Sequence, residues 1–137
     1  MKGKIFTPDE ANRMLPLVSR IADDIVATYE DVNVAIQAFE AERPKAEADE
    51  NRLPKLRELD QEVTVALDRL QSLIYEIEAL GGTVKDHQHG KIDFYGEIDG
   101  EIVYLCWQRG EDRIAYYHGL EESTGKRHPI PTQVAAA

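Results

Sequence analysis

His87 and His89 stand two residues apart in the segment VKDHQHGKIDF, a spacing that points both imidazoles the same way if the chain there is extended. Such a pair can clasp a transition metal, with Asp86, Asp93 or His118 completing the shell. The plainer account makes both of them exposed loop residues beside a bend at Gly90. Asp86 and Asp93 suggest a second chemistry. As cross-strand neighbours they would repel and favour a shared proton, the arrangement that general acid/base catalysis exploits, unless Lys85, Lys91 or Arg113 neutralises them in ordinary pairs. Cys106 is the one cysteine. As a nucleophile it needs a neighbouring base or positive field; otherwise it is a small buried hydrophobe. Glu111 and His118 are the remaining groups for an acid/base or metal-dependent site, and His118 reads equally as a core or rim histidine. No phosphate-binding glycine loop, G-x-S-x-G, H-E-x-x-H or EF-hand motif accompanies them.

All of these residues fall between Gly81 and Leu120, so the elements that position them come next. Thr7, Pro8 and Glu10 form a helix start: a cap, a first-turn proline and the third member of a capping box. Apolar residues then recur as Val18, Ile25, Val32 and Phe39, a stripe at helical spacing, with a bend expected at Pro16. The segment 40–53 is charged, contains Pro44 and reads as the connection to a second helix capped by Asn51. That helix carries three apolar rows: Leu56, Val63, Leu70, Ile77; Leu59, Ala66, Leu73, Leu80; and Leu53, Leu67, Ile74. Stripes this broad need covering by a sheet or by a second subunit. Gly81-Gly82 ends the helix.

Beyond Gly82 the period changes from about 3.6 to 2. Asp99-Gly100 is a two-residue hairpin turn, so paired positions sum to 199. Ile92, Phe94, Ile98, Val103, Leu105 and Trp107 then face the helices, and Asp93, Tyr95, Glu97, Ile102, Tyr104 and Cys106 face away. A next strand with Gln108 opposite Arg113 puts Ile114, Tyr116 and His118 on the Trp107 face, an assignment that a one-residue shift reverses. A further strand over 83–88 sets Asp86 opposite Asp93. The expected fold is one α+β domain: a long antiparallel helical hairpin over about 7–80, then an antiparallel β-meander of three or four strands over 83–119. The tail, 121–137, has too little apolar material to pack, and its end is expected to be disordered.

The 137 residues carry 26 acidic and 16 basic side chains, a net charge of −10. That balance disfavours nucleic acid and anionic membranes, which need a positive footprint. A lone cysteine, no secretory leader and no membrane-length apolar run point to a cytoplasmic protein.

Taken together, FTPDEANRMLP, VKDHQHGKIDF, YLCW and YYHGL resemble a small bacterial family, domain of unknown function 2203, over Phe6 to about Pro129. The resemblance implies no established activity. Carried over by position, its pattern singles out Lys85, Asp86, Gly90, Asp93, Phe94, Cys106, Trp107, Gly110, Glu111, His118 and Arg127, and leaves His87 and His89 in an unspecified gap. The functional expectation is a non-enzymatic module that self-associates through its helices or binds a protein or peptide partner, with Tyr95, Tyr104 and Tyr117 as an exposed aromatic surface. The alternative is a small metal-dependent or acid/base enzyme working from Lys85, Asp86, Asp93, Glu111 and His118. No cofactor is specified.

Overall fold

The structure, a computed structural model, describes residues 4–122 and 125–131. It is α+β: α1 (Pro8–Ala48), a 3-10 turn (Glu50–Arg52) and α2 (Leu53–Ala79) precede an antiparallel sheet in the order β1-β2-β3-β4-β5. The strands are β1 (Gly82–Asp86), β2 (Lys91–Ile98), β3 (Glu101–Gln108), β4 (Tyr116–Gly119) and β5 (His128–Pro129). The expected meander is therefore present with one strand more than expected.

Thr7 starts α1 as its sequence requires. Its hydroxyl accepts from the Glu10 N–H at 3.1 Å, and the Glu10 carboxylate accepts from the Thr7 N–H at 2.9 Å, satisfying two donors that the first turn otherwise leaves bare. Ala11, Leu15, Val18, Ala22, Ile25 and Val32 put one face of α1 into the core. The helix runs through both Pro16 and Pro44 to Ala48, so the connection is shorter than the charged composition of 40–53 implies. Its last turns are held from across the turn. Arg52 donates two hydrogen bonds to Glu42, at 2.7 and 2.9 Å, and Ala46 is buried. These contacts offset the hydrogen bond that Pro44 cannot make. Asn51 does not cap α2, whose N-cap residue is Arg52 with no side-chain hydrogen bond; Asp49 caps the 3-10 turn instead, accepting from the Asn51 N–H.

The β2–β3 hairpin has the expected register at all of its pairs, from Lys91↔Gln108 to Ile98↔Glu101. Asp99 and Gly100 both take positive φ, 52° and 82°, the conformation that a tight two-residue hairpin turn demands. Ile92, Phe94, Ile98, Val103, Leu105 and Trp107 are buried in one cluster with the α1 stripe and with Leu70 and Ile77 of α2. Phe6 adds to this core from the N-terminal side. It forms a parallel bridge to Gly96, exchanging hydrogen bonds with Tyr95 and Glu97, and packs edge-on against Phe94 with ring centroids 5.7 Å apart.

Three expectations about the sheet are corrected. Asp86 pairs with Lys91, and the residue opposite Asp93 is Thr83. The reason is local: the Asp86 carboxylate accepts from the N–H groups of Gln88 and His89, its carbonyl accepts from Gly90, and the chain turns through 87–90 rather than staying extended. On the other side, β3 pairs with β4 one residue out of the expected register, Tyr104↔His118 and Cys106↔Tyr116. Asn12 causes much of this. Its side chain accepts from the Ile114 N–H at 2.7 Å and donates to the Ile114 carbonyl at 3.2 Å, so the chain is tied to α1 before the strand resumes at Tyr116. His118 consequently lies on the Asp93 and Cys106 face, while Tyr117 turns to the core. Finally, the tail is ordered as far as it is described: β5 pairs with β4, and Ile130 packs against the core. The expected disorder of the chain end falls on 132–137, outside the described residues.

Candidate functional site

The sheet face turned away from the helices collects three ligating side chains. Asp93 sits in the middle of β2, Cys106 lies directly opposite it on β3, and His118 comes from β4 opposite Tyr104. One carboxylate oxygen, the thiol sulfur and one imidazole nitrogen lie within 4.8 Å of one another. Each residue is buried, with relative exposures of 4%, 6% and 2%. Burial of two ionisable groups and a thiol at one point is uncommon enough to require a reason.

Part of the reason is mutual hydrogen bonding. His118 Nδ1 is 3.1 Å from the Gly119 carbonyl oxygen, which can only accept, so Nδ1 carries a hydrogen. His118 Nε2 is 3.1 Å from Asp93 Oδ2. The thiol of Cys106 is 3.8 Å from the Tyr104 carbonyl. Burial, followed by the Asp93 charge, pushes this thiol up to about 12, with Arg127 acting weakly in the opposite direction. In this state it is a thiol and no nucleophile. A cation bound among the three would reverse that balance, because a metal ligates the thiolate and displaces its proton.

A small cavity of about 30 Å³ opens beside the cluster, with Asp93 and Cys106 in its wall together with Lys85, Lys91 and Arg127. Its volume exceeds what a single water needs. Glu111 does not enter the cluster. It fixes Arg127, whose guanidinium donates in a fork to the two Glu111 oxygens at 2.7 and 2.9 Å and lies 4.3 Å from the Tyr116 ring centre. Burial alone would raise the Glu111 carboxyl; Arg127 and the Gln108 N–H outweigh it and hold the group below the ordinary carboxylate range. The loop carrying Glu111 is fixed in turn by Trp107, whose indole N–H donates to the Glu111 carbonyl at 2.9 Å.

Of the other sequence candidates, Lys85 lines the cavity beside the cluster, while His87, His89 and Asp86 are engaged elsewhere. His87 stacks on Tyr29 of α1 with ring centroids 5.9 Å apart. His89 is held by the Asp86 carboxylate, Nδ1 to Oδ2 at 2.8 Å, and this contact leads the causes that lower Asp86. Asp86 thus serves its turn. Lys85 is exposed, its ammonium 5.7 Å from the Tyr104 ring centre. Among the described residues, the one group of three or more metal-ligating side chains is Asp93, Cys106 and His118. The sequence groups Asp93 and His118 in one metal or acid/base set and leaves Cys106 outside it. The missing signal was strand register, since the shift between β3 and β4 alone moves His118 to the Cys106 face.

Comparison with known proteins bears on the whole chain. A family model described as "Uncharacterized conserved protein (DUF2203)" matches residues 4–130, and the chain belongs to that family. Searches of curated proteins and of solved structures return no match.

Proposed function

We propose that this member of the DUF2203 family is a small metal-dependent enzyme, with Asp93, Cys106 and His118 as three ligands of one transition-metal ion. The convergence of three ligating atoms within 4.8 Å on a buried sheet face carries the reading. A tetrahedral zinc-like ion at about 2.0–2.3 Å from nitrogen, oxygen and sulfur keeps its ligands about 3.3–3.8 Å apart, so small side-chain rotations close the shell. The donor set is one thiolate, one imidazole and one carboxylate, which suits zinc and its neighbours rather than magnesium or calcium. Three protein ligands leave a fourth position, the feature that separates catalytic from structural zinc sites. An ion held there would activate water near neutral pH, drawn from the cavity whose wall includes Asp93 and Cys106. Lys85 and Arg127 flank it; Glu111 acts through Arg127.

Elemental analysis of protein purified without chelator tests this. About one equivalent of metal is expected, lost in Asp93→Asn, Cys106→Ser and His118→Asn and retained in the double variant His87→Asn/His89→Asn. Metal absent after zinc reconstitution, or retained by all three single variants, ends the reading.

A second reading rests on the far half of the hairpin, and concerns assembly rather than chemistry. The core shared with the sheet takes in α1 up to Val32 and α2 at Leu70 and Ile77. Beyond it, Val34, Ile36, Leu53, Val65 and Leu67 remain exposed. Their burial against a second copy of the chain would hide these residues from water. Light scattering at micromolar concentration decides: a dimer dissolved by Val65→Glu/Leu67→Glu supports self-association, and a clean monomer ends it. Cytoplasmic localisation remains part of the proposal; among the described residues no helix is long and apolar enough to cross a membrane.

A further inference from the structure

The cavity beside the proposed metal ligands has the wrong charge for its protein. The chain carries a net charge of −10, yet Lys85, Lys91 and Arg127 all line this one small opening. We infer that the cavity receives an oxyanion group, a phosphate or carboxylate, placed beside the metal; its catalytic role rests on the metal reading above, whereas its binding does not.

The negative groups nearby are already engaged. Asp86 pairs with Lys91 in the strand register, but its carboxylate is committed to His89 and to the turn N–H groups. Among the described residues no carboxylate lies within ion-pair distance of Lys85 or Lys91. Asp93 is turned to His118. Arg127 is paired with Glu111, which leaves it in place while its flat guanidinium stays stacked on Tyr116. Two ammonium groups without ion-pair partners and one pre-positioned guanidinium make a cradle for a group bearing two or more anionic oxygens.

Size narrows the ligand further. A cavity of about 30 Å³ admits the end of a molecule and not the whole of a nucleotide. The fitting substrate class is therefore a small metabolite presenting a terminal phosphate or carboxylate, or the free anion itself. Bound there, its oxygen would lie near Asp93 and Cys106, where an ion held by them would polarise it.

Two-dimensional ¹⁵N NMR of the full chain tests the inference, following the Arg127 Nε–H and the backbone N–H groups of Cys106 and Gln108. Inorganic phosphate is titrated in one arm and acetate in another, at low ionic strength, into metal-free and zinc-loaded protein. Saturable shifts with at least one anion are expected, at least tenfold weaker in the double variant Lys85→Gln/Lys91→Gln and unchanged in Lys55→Gln, on the distant hairpin. Circular dichroism confirms that the variants fold. Saturable binding that follows this pattern in metal-free protein supports the anion site even where no metal is retained, which separates its fate from that of the metal reading. No saturable shift with either anion, or shifts indifferent to the double variant, overturns it.

Discussion

His118 Nε2 lies 3.1 Å from Asp93 Oδ2, although the two residues are 25 positions apart and come from strands separated by β3. Both side chains are almost wholly buried, at 2% and 5% exposure. Neither can lose its partner without leaving a largely buried polar group unsatisfied.

Asp93→Ala in metal-free protein is therefore expected to cost about 1–3 kcal/mol of unfolding free energy, the usual penalty of a buried group left unsatisfied. His118→Ala should cost a similar amount, and the double variant less than the sum of the two. Urea denaturation of the four proteins measures this. Strict additivity would show that the contact carries no coupling.

Cys106 offers a chemical readout of the same burial. Its thiol is pushed up to about 12, by burial first and then by the Asp93 charge, so thiolate is scarce at pH 8. Iodoacetamide should label native, metal-free protein at least tenfold more slowly than protein unfolded in urea. Equal rates would mean that the sulfur is open to solvent.

The Glu111–Arg127 fork predicts a pH dependence. Glu111 is held below its ordinary value in the fold, so its contribution is fully present above the unfolded carboxyl range, about 4.3. It is lost as pH falls through the lower folded value. Wild type should exceed Glu111→Gln by about 1 kcal/mol at pH 7, and the gap should close at the acid end. A gap that stays constant from pH 7 to pH 3 would remove the carboxylate from this role.

Much of this fold is legible in the sequence. Thr7 and Glu10 carry a capping pattern with one physical meaning, and Asp99-Gly100 fixes a turn whose two-residue length sets every pair between β2 and β3. Both are local rules, in which near neighbours decide the outcome. The site was less legible because its register depends on residues far apart. Asn12, in the first turns of α1, holds Ile114 and so shifts β4 by one position, which carries His118 to the other face. Asp86 spends its carboxylate on its own turn and leaves Asp93 without the carboxylate neighbour expected of it. Only the family resemblance singles out Arg127, since its pairing with Glu111 depends on how the tail folds back. His87 and His89 attracted attention for their spacing, and a turn in place of an extended strand dissolved it.

Cobalt absorption spectroscopy tests the central claim most directly, because a thiolate bound to Co(II) gives a sulfur-to-metal charge-transfer band in the near ultraviolet and a tetrahedral ion gives intense visible bands. Titration of metal-free protein should produce both, saturating at one equivalent, with the near-ultraviolet band absent from Cys106→Ser and both sets lost in Asp93→Asn and His118→Asn. A titration without a thiolate band, or one unchanged in Cys106→Ser, would contradict a metal held by Asp93, Cys106 and His118.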